Sequence, residues 1–232
     1  MEPSIIYEDN HLLVVIKPQG VPTQPDDSGD PDMLSILKAY RQANEQKAGE
    51  AFVGMVHRLD RVTGGVMVFA KTSKAASRLG EQIRNREFHK KYLTVVAGMP
   101  RKNEETLVHY LLKNEHQNRV DIVGQAVTGA KRAELTYEVK QTQNKLFLLE
   151  VDLHTGRSHQ IRVQLSAINC PIVGDNKYGR PAKENLALWA HELSFIHPTT
   201  GDKMKFVVNP PEEGVWENFD FARKTHTYRG IK

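Results

Sequence analysis

Apolar residues recur along this chain at two spacings, and each change of spacing marks a new element. Ile5 to Tyr7 and Leu12 to Lys17 are short β-prone runs joined by Glu8-Asp9-Asn10-His11, which predicts a hairpin. Lys17-Pro18-Gln19-Gly20-Val21-Pro22 ends the second strand, because proline has no N–H to give a ladder. Gln24 to Asp32, rich in Pro, Asp and Gly, reads as an exposed loop. Met33, Ile36, Leu37 and Tyr40 fall at helical spacing and predict an amphipathic helix over Met33 to Ala43, then a polar surface loop from Ala43 to Glu50. Val66 to Ala70 is a continuous apolar run, the pattern of a strand buried on both faces. Thr72 or Ser73 can cap the next helix, whose apolar stripe is Ala75 or Ala76, Leu79 and Ile83, with Lys74, Arg78 and Arg84 off it.

Downstream the pattern is dominated by strands. Phe88 to Lys91 leads into Tyr92 to Ala97, which ends at Gly98 and Pro100; Thr106 to Leu112, Val120 to Val123 and Ala133 to Val139 are further, less regular strands. Phe147, Leu149, Val151 and Leu153 alternate with Leu148, Glu150 and Asp152, as in a half-buried strand. From Ser158 the period becomes helical, with Ile161, Leu165 and Ile168 on one face, Ser158 as N-cap and Asn169-Cys170-Pro171 as the stop. Leu186 to Ile196 alternates again, with Trp189, His191, Leu193 and Phe195 on one face. His197-Pro198-Thr199-Thr200-Gly201 turns it into Met204 to Val208. The tail from Asn209 is Pro-rich, then charged, and predicts no element. Strands outnumber helices and several are joined as hairpins, so the fold class is α+β with a largely antiparallel sheet.

With 232 residues, 39% hydrophobic and 26% charged, the chain can fill one large core or two small ones. The longest apolar run near the N-terminus, Leu12 to Ile16, is too short for a signal peptide or a membrane span, so a cytoplasmic protein is expected. Cys170 is the only cysteine, which excludes an intrachain disulfide and a cysteine metal site. The net charge of +4 is unevenly spread: His57 to Tyr92 holds nine Lys and Arg against three acids, a local +6, leaving −2 elsewhere. A polyanion-binding face has this distribution, and so does a solvated basic helix.

The chemistry-bearing residues gather in two clusters. In the stretch Gly54 to Lys71, His57, Arg58, Asp60, Arg61 and Thr63 precede Gly64-Gly65 and the buried strand. A carboxylate at that lip is costly unless its charge is used, which makes Asp60 the lead candidate for catalysis and a structural ion pair the alternative. The glycine pair allows a tight backbone path or the close approach of a ligand. The second cluster is Thr155 to Arg162, where Arg157, His159 and Arg162 meet a strand-to-helix junction, and helix N-terminal amides favour an anion. Both clusters follow or precede core-like strands, which suggests one shared pocket with Arg162 as partner to a buried carboxylate. Tyr92, after Lys90-Lys91, has the spacing of a half-buried core residue, and an aromatic beside a basic run also suits a stacked base. None of the close pairs His57/Asp60, His154/His159 and His191/His197 has the i, i+4 helical spacing of zinc hydrolases, so no metal is expected. Gly64-Gly65 precedes a strand, unlike a dinucleotide fingerprint, and there is no G-x-S-x-G.

His57-Arg58-Leu59-Asp60-Arg61-Val62-Thr63-Gly64-Gly65, with Val66 to Lys71, resembles the signature of the RluA-type family of RNA pseudouridine synthases. Lys17-Pro18-Gln19-Gly20 is similar to the family's N-terminal turn, Lys90-Lys91-Tyr92 to its tyrosine motif, and Thr155 to Arg162 to its third motif. Ile172-Val173-Gly174-Asp175, Tyr178-Gly179 and Ala190-His191 continue in the family's order. The resemblance implies a single catalytic domain over residues 1–232, with a mixed, mostly antiparallel central sheet, flanking helices and a central RNA-binding cleft. It implies isomerisation of a uridine in RNA to pseudouridine without cofactor or metal; a monomer acting on ribosomal or transfer RNA, with no membrane and no obligate protein partner, is expected. Asp60 matches the catalytic aspartate, which attacks the sugar or assists glycosidic cleavage before the uracil is rotated and rejoined through carbon 5. Tyr92 matches the residue that stacks on the base and later assists proton removal, and Arg162 the one that pairs with the aspartate. Arg58 matches the residue that fills the space left by the flipped nucleotide. Arg61, His57, Arg157, His159, Lys90 and Lys91 are the further RNA-binding candidates. Family members often have Ser where Gly64 stands and His where Gln164 stands, departures expected to bear on RNA fit more than on the reaction. The chain shows no N-terminal RNA-binding domain of the ribosomal-protein kind, so its catalytic domain is expected to recognise the target. A catalytically inactive RNA-binding module on the same fold is the rival reading; Asp60, Tyr92 and Arg162 together argue against it. A metal-dependent phosphoesterase using His57 and Asp60 is disfavoured by the spacing.

Overall fold

The computed structural model describes residues 1–45, 51–221 and 227–231. In chain order its elements are β1 (Ser4–Glu8), β2 (Leu12–Lys17), α1 (Met33–Glu45), β3 (Gly54–Met55), β4 (Gly64–Ala70), α2 (Ser73–Arg84) and β5 (His89–Ala97). Then come β6 (Glu104–Asn114), β7 (Arg119–Val123), β8 (Lys131–Gln143), β9 (Leu146–Leu153), α3 (Gln160–Ala167), β10 (Leu188–Ile196), β11 (Lys203–Val207) and β12 (Thr227–Ile231), with a 3₁₀ turn at Gly214–Asn218 before the last strand. The α+β class with antiparallel pairing is as the hairpin-rich pattern predicts. The elements form two compact units, one of residues 1–89, 190–209 and β12, the other of residues 90–189 and the segment that carries the 3₁₀ turn.

In the first unit, the β1–β2 hairpin is closed by Asp9, whose carboxylate accepts the N–H groups of His11 and Leu12, both at 2.7 Å. β2 pairs antiparallel with β4 from Leu12↔Ala70 to Lys17↔Gly65, and β10 lies on the other side of β4. Every residue of β4 is buried, which is why its sequence runs apolar without alternation. Gly65 has φ +122°, and a Cβ there would lie 2.3 Å from the carbonyl oxygen of Ala190. Its glycine is therefore required by the close backbone of β10, the tight-path half of the expectation from sequence. Thr72 caps α2 by accepting the Ala75 N–H at 3.1 Å. The buried face of α2 is Ala75, Leu79 and Gln82; Ile83 is only half-buried. Periodicity alone could not select a polar residue, but the Gln82 amide both donates to the Ile196 carbonyl (2.7 Å) and accepts its N–H (2.8 Å). The loop expected over Ala43 to Glu50 is helical through Glu45, and the remainder lies outside the described residues.

The second unit is an antiparallel sheet in the order β5-β9-β8-β6-β7. Its 13-residue β8 carries a bulge between Val139 and Gln141, and Gln141 bonds both the carbonyl and the N–H of Asp220 after the 3₁₀ turn. α3 packs on this sheet through a cluster of Leu111, Val120, Ala133, Val163 and Tyr178. The expected cap at Ser158 is corrected: Ser158 is exposed, and His159, at φ 51°, is the N-cap, without a side-chain cap bond. The cause is Gln160, whose buried amide oxygen accepts from the Thr155 hydroxyl (2.8 Å) and the Arg157 N–H (3.0 Å), winding the loop around itself. The tail is corrected too. β12 pairs with β11 in the first unit from Lys203↔Ile231 to Val207↔Thr227. An edge strand is held by backbone bonds, so Thr227 to Ile231 needed no apolar alternation to become one.

Gly65→Ala combines a strained φ with a backbone clash. It should lower the unfolding free energy by at least about 2 kcal/mol, read as a shift of the urea midpoint; an unchanged midpoint would contradict the β4–β10 packing described.

Candidate active site

Asp60 sits half-buried on the loop that enters β4, and the segment after β2 grips that loop by its carbonyls. The Thr23 hydroxyl donates to Leu59 O (2.8 Å) and accepts the Leu59 N–H (3.2 Å). Asp60 O accepts the Thr63 N–H at 2.9 Å, closing a turn under the carboxylate. Arg61 O accepts from Lys17 Nζ (3.1 Å) and from the Gly20 N–H (2.8 Å), and Val62 O from the Gln19 amide (2.9 Å). Four successive carbonyls are thus bonded, three of them to residues 17–23. The Lys-Pro-x-Gly turn was legible as a motif, but nothing in its spacing revealed that it clamps Asp60. The flanking side chains differ. Arg58 is exposed, whereas Arg61 turns back to Ser28 (2.9 Å) and to the carboxylates of Asp30 and Asp26; bonds from Ser28, with a lesser pull from Arg61, hold Asp26 below the usual carboxylate range, and the Arg61 bond first, then Ser28, does the same for Asp30. His57 Nε2 accepts the N–H of Val68 in β4 at 3.1 Å, and its ring packs against Phe88 with centroids 5.4 Å apart. That nitrogen serves the fold.

Tyr92, Lys90, Lys91, Arg157, His159 and Arg162 belong to the second unit. Tyr92 is buried on β5, opposite Val151 of β9. Lys91 pairs with Glu150 at 2.9 Å. Lys90 has its ammonium pushed down by burial, and a Cβ on Gly156 would lie 3.3 Å from its Nζ, so this part of the third motif is shaped around the lysine. Arg157 is exposed and donates through Nε to Arg132 O at 3.2 Å. Arg162, only 6% exposed, is gripped by Asp175 in a bidentate pair: Nε to Oδ2 at 2.8 Å and Nη2 to Oδ1 at 2.7 Å. The same carboxylate accepts the N–H groups of Lys177 (2.9 Å) and Tyr178 (3.0 Å). Against the cost of burial, these bonds and the guanidinium hold Asp175 below the usual carboxylate range. Nothing in the sequence pattern pairs Arg162 with Asp175, although Asp175 lies in the Ile172-Val173-Gly174-Asp175 motif. Gln164, expected to affect RNA fit, is fully buried; it donates to Leu107 O (3.2 Å) and His109 Nδ1 (3.0 Å). Gly64 is buried as well, so neither departure offers RNA a direct contact. Among the described residues no three His, Cys, Asp or Glu side chains are placed to hold a metal ion.

The basic stretch is less basic in space than along the chain. Lys71 pairs with Glu8 (2.6 Å) and Glu45 (2.7 Å), and Arg61 and Lys91 have the acids named above. Three of its nine cations are thus matched by acids from distant sequence, while Arg58, Lys74, Arg84 and Arg86 are exposed.

The family model described as RNA pseudouridylate synthase matches residues 11–167, which include the clamp, Asp60, Tyr92 and Arg162. The chain belongs to that family. It is 35% identical over 208 residues to the uncharacterized RNA pseudouridine synthase YhcT of Bacillus subtilis, covering 87% of this chain and 66% of that protein. It is 34% identical to the ribosomal large subunit pseudouridine synthase C of Buchnera aphidicola, over 88% of this chain and 66% of the relative. The chain thus spans just under two thirds of the length of these relatives. Among solved structures, human RNA pseudouridylate synthase domain containing 4 superposes with a TM-score of 0.75 at 24% identity, over 90% of this chain and 88% of that one, a likeness of fold.

Within this pseudouridine synthase fold the clamp has an electrostatic side. Lys17 is fully buried, and its Nζ donates to Pro18 O (2.9 Å) and Val21 O (2.5 Å) as well as Arg61 O. Burial pushes its ammonium down to about 7 from an ordinary 10.5, against the pull of the Asp60 carboxylate; Arg61 adds to the fall. A lysine lowered in the folded state releases its proton on folding between those two values, so stability rises with pH from about 7 toward 10.5 and is flat below. Between pH 7 and 9 the wild-type urea midpoint should climb relative to that of Lys17→Met. The variant should also lose roughly 1–3 kcal/mol at pH 7 by leaving buried carbonyls without a donor. Parallel pH profiles would rule out the lowered Lys17.

Proposed function

We propose that this chain is an RNA pseudouridine synthase, an isomerase that converts a specific uridine in structured ribosomal RNA to pseudouridine, with Asp60 as the essential carboxylate. The observation that carries this reading is the carboxylate itself. Asp60 stands half-buried on a loop whose carbonyls from Leu59 to Val62 are all bonded, and such rigidity serves a group that must meet a reacting atom in one geometry. A binding module has little use for it. Membership of the family and the relative named for the large ribosomal subunit support the reaction class and the choice of ribosomal RNA.

In this reading the bond from the sugar to nitrogen 1 of uracil breaks and a bond to carbon 5 forms. The proton lost from carbon 5 is balanced by one gained at nitrogen 1, and no electrons are gained or lost. Asp60 acts at the sugar, Tyr92 offers its ring to the base and assists proton removal, and Arg162 balances the carboxylate's charge. Arg58, exposed beside Asp60, takes the space the flipped nucleotide leaves.

Release of tritium from RNA labelled at carbon 5 of uridine tests this directly. Asp60→Ala should slow release by at least about 10³-fold while RNA affinity stays within a few-fold. Release at the wild-type rate would exclude Asp60, and a wild-type protein that binds RNA yet releases no tritium would favour the inactive module.

A further inference from the structure

Arg162 is gripped on one side by Asp175, and the same short segment brings an aromatic ring to it. Its guanidinium carbon lies 5.2 Å from the ring centroid of Tyr178, and that of Arg119, at the start of β7, lies 5.1 Å from the same centroid. Such distances are within the range of cation–π attraction. Tyr178 is fixed on every side. Its N–H donates to Asp175 Oδ1 (3.0 Å), and its carbonyl accepts from the Ser166 hydroxyl of α3 (2.6 Å). Its own hydroxyl accepts the Val120 N–H of β7 (2.7 Å) and lies 2.8 Å from His159 Nδ1 at the entry to α3. With the Val120 N–H donating, the hydroxyl proton is available to His159 Nδ1, so both partners are satisfied at once. The β6–β7 hairpin is tied to this segment twice more, by Arg119 Nη1 to Lys177 O (3.0 Å) and Lys177 Nζ to Asn118 O (2.6 Å).

This geometry exceeds what packing requires. A leucine would fill the cluster of Leu111, Val120, Ala133 and Val163 without two hydroxyl bonds or a face for cations. Asp175 fixes two of the five guanidinium N–H groups of Arg162 and hence its in-plane direction, but not the tilt of the plane; the ring constrains that tilt. We propose that Tyr178 is a positioning residue for Arg162, its hydroxyl-pinned ring setting the guanidinium plane and linking it to the β6–β7 hairpin. The proposal rests on the reading of Arg162 as part of a pseudouridine synthase site.

The test compares Tyr178→Phe, which keeps the ring and loses both hydroxyl bonds, with Tyr178→Leu, which loses the ring. The readouts are single-turnover tritium release at saturating RNA, RNA affinity, and the Nε–H resonance of Arg162 in ¹⁵N-labelled protein. Tyr178→Phe should slow release about 3–10-fold and Tyr178→Leu about 10–100-fold, with affinity within about threefold and the Arg162 resonance shifted or in faster exchange. A purely structural role predicts that folded variants release tritium at the wild-type rate with an unmoved resonance, and that result overturns the proposal. Should Tyr178→Leu fail to fold, Tyr178→Phe decides alone by the same criterion. Arg162→Met separates the two levels. If it kills release while both Tyr178 variants are as fast as wild type, the positioning role fails and the function stands; if it leaves release intact, the role given to Arg162 is wrong and the proposal falls with it.

Discussion

Asp60 is held in one place because the four successive carbonyls around it, from Leu59 to Val62, all have partners. The bonds to Leu59, Asp60, Arg61 and Val62 come from Thr23, Thr63, Lys17, Gly20 and Gln19. They follow from the register of two strands. β2 ends at Lys17 opposite Gly65, the second residue of β4, so the segment leaving β2 and the loop entering β4 emerge from the same end of one antiparallel pair. Shifting that register by one residue would turn Lys17 away from the loop. Gly65 has to satisfy this pairing on one side and the backbone of β10 on the other, and glycine at φ +122° is what makes both possible.

The two units secure a buried cation by opposite means. Lys17 has three carbonyls around its ammonium, with Asp60 acting on it through space against the cost of burial, so its charge is conditional and its pKa falls to about 7. Arg162 has a bidentate carboxylate and an aromatic face, and a guanidinium does not surrender its proton in a protein. The conditional cation supports backbone, where a neutral amine still donates hydrogen bonds. The permanent one meets the buried carboxylate of Asp175. Exchanging the two residue types would put a titrating group beside Asp175 and a planar fork among three converging carbonyls, which fits neither site.

What could be read from the sequence was whatever side-chain pattern enforces. β4 was legible because burial on both faces demands a continuous apolar run, and the cap at Thr72 because a hydroxyl there has a local task. The identity of the motifs carried Asp60, Tyr92 and Arg162 into view. What escaped was polar and, apart from Gln160 gathering its own loop, distant in sequence: Gln82 reaching Ile196, Asp175 gripping Arg162, and β12 closing on β11 by backbone alone. Each of these bonds joins residues whose types are compatible with many partners, so only the fold selects among them. His159 shows the point most simply. Its left-handed backbone and its bond to Tyr178 are set by Gln160 on one side and β7 on the other, and neither leaves a trace in local spacing.

The positive charge of the basic stretch is smaller in space than along the chain. Counted along the chain, His57 to Tyr92 is a block of +6; in the fold, Lys71 is drawn to Glu8 and Glu45, Arg61 to Asp26 and Asp30, and Lys91 to Glu150. A cation already matched to an acid gives little to a phosphate, because binding RNA would first have to break that pair. On the proposed function, the salt-dependent part of RNA binding would belong to exposed cations such as Arg58, Lys74, Arg84 and Arg86. Arg58 differs from the other three in standing two residues from Asp60. On the proposed function its charge would act on the nucleotide chosen for reaction, while charges on and after α2 would act on RNA of any sequence. Two arginines flank Asp60 in the sequence; both are exposed, and the fold ties Arg61, through Asp26 and Asp30, to the protein itself.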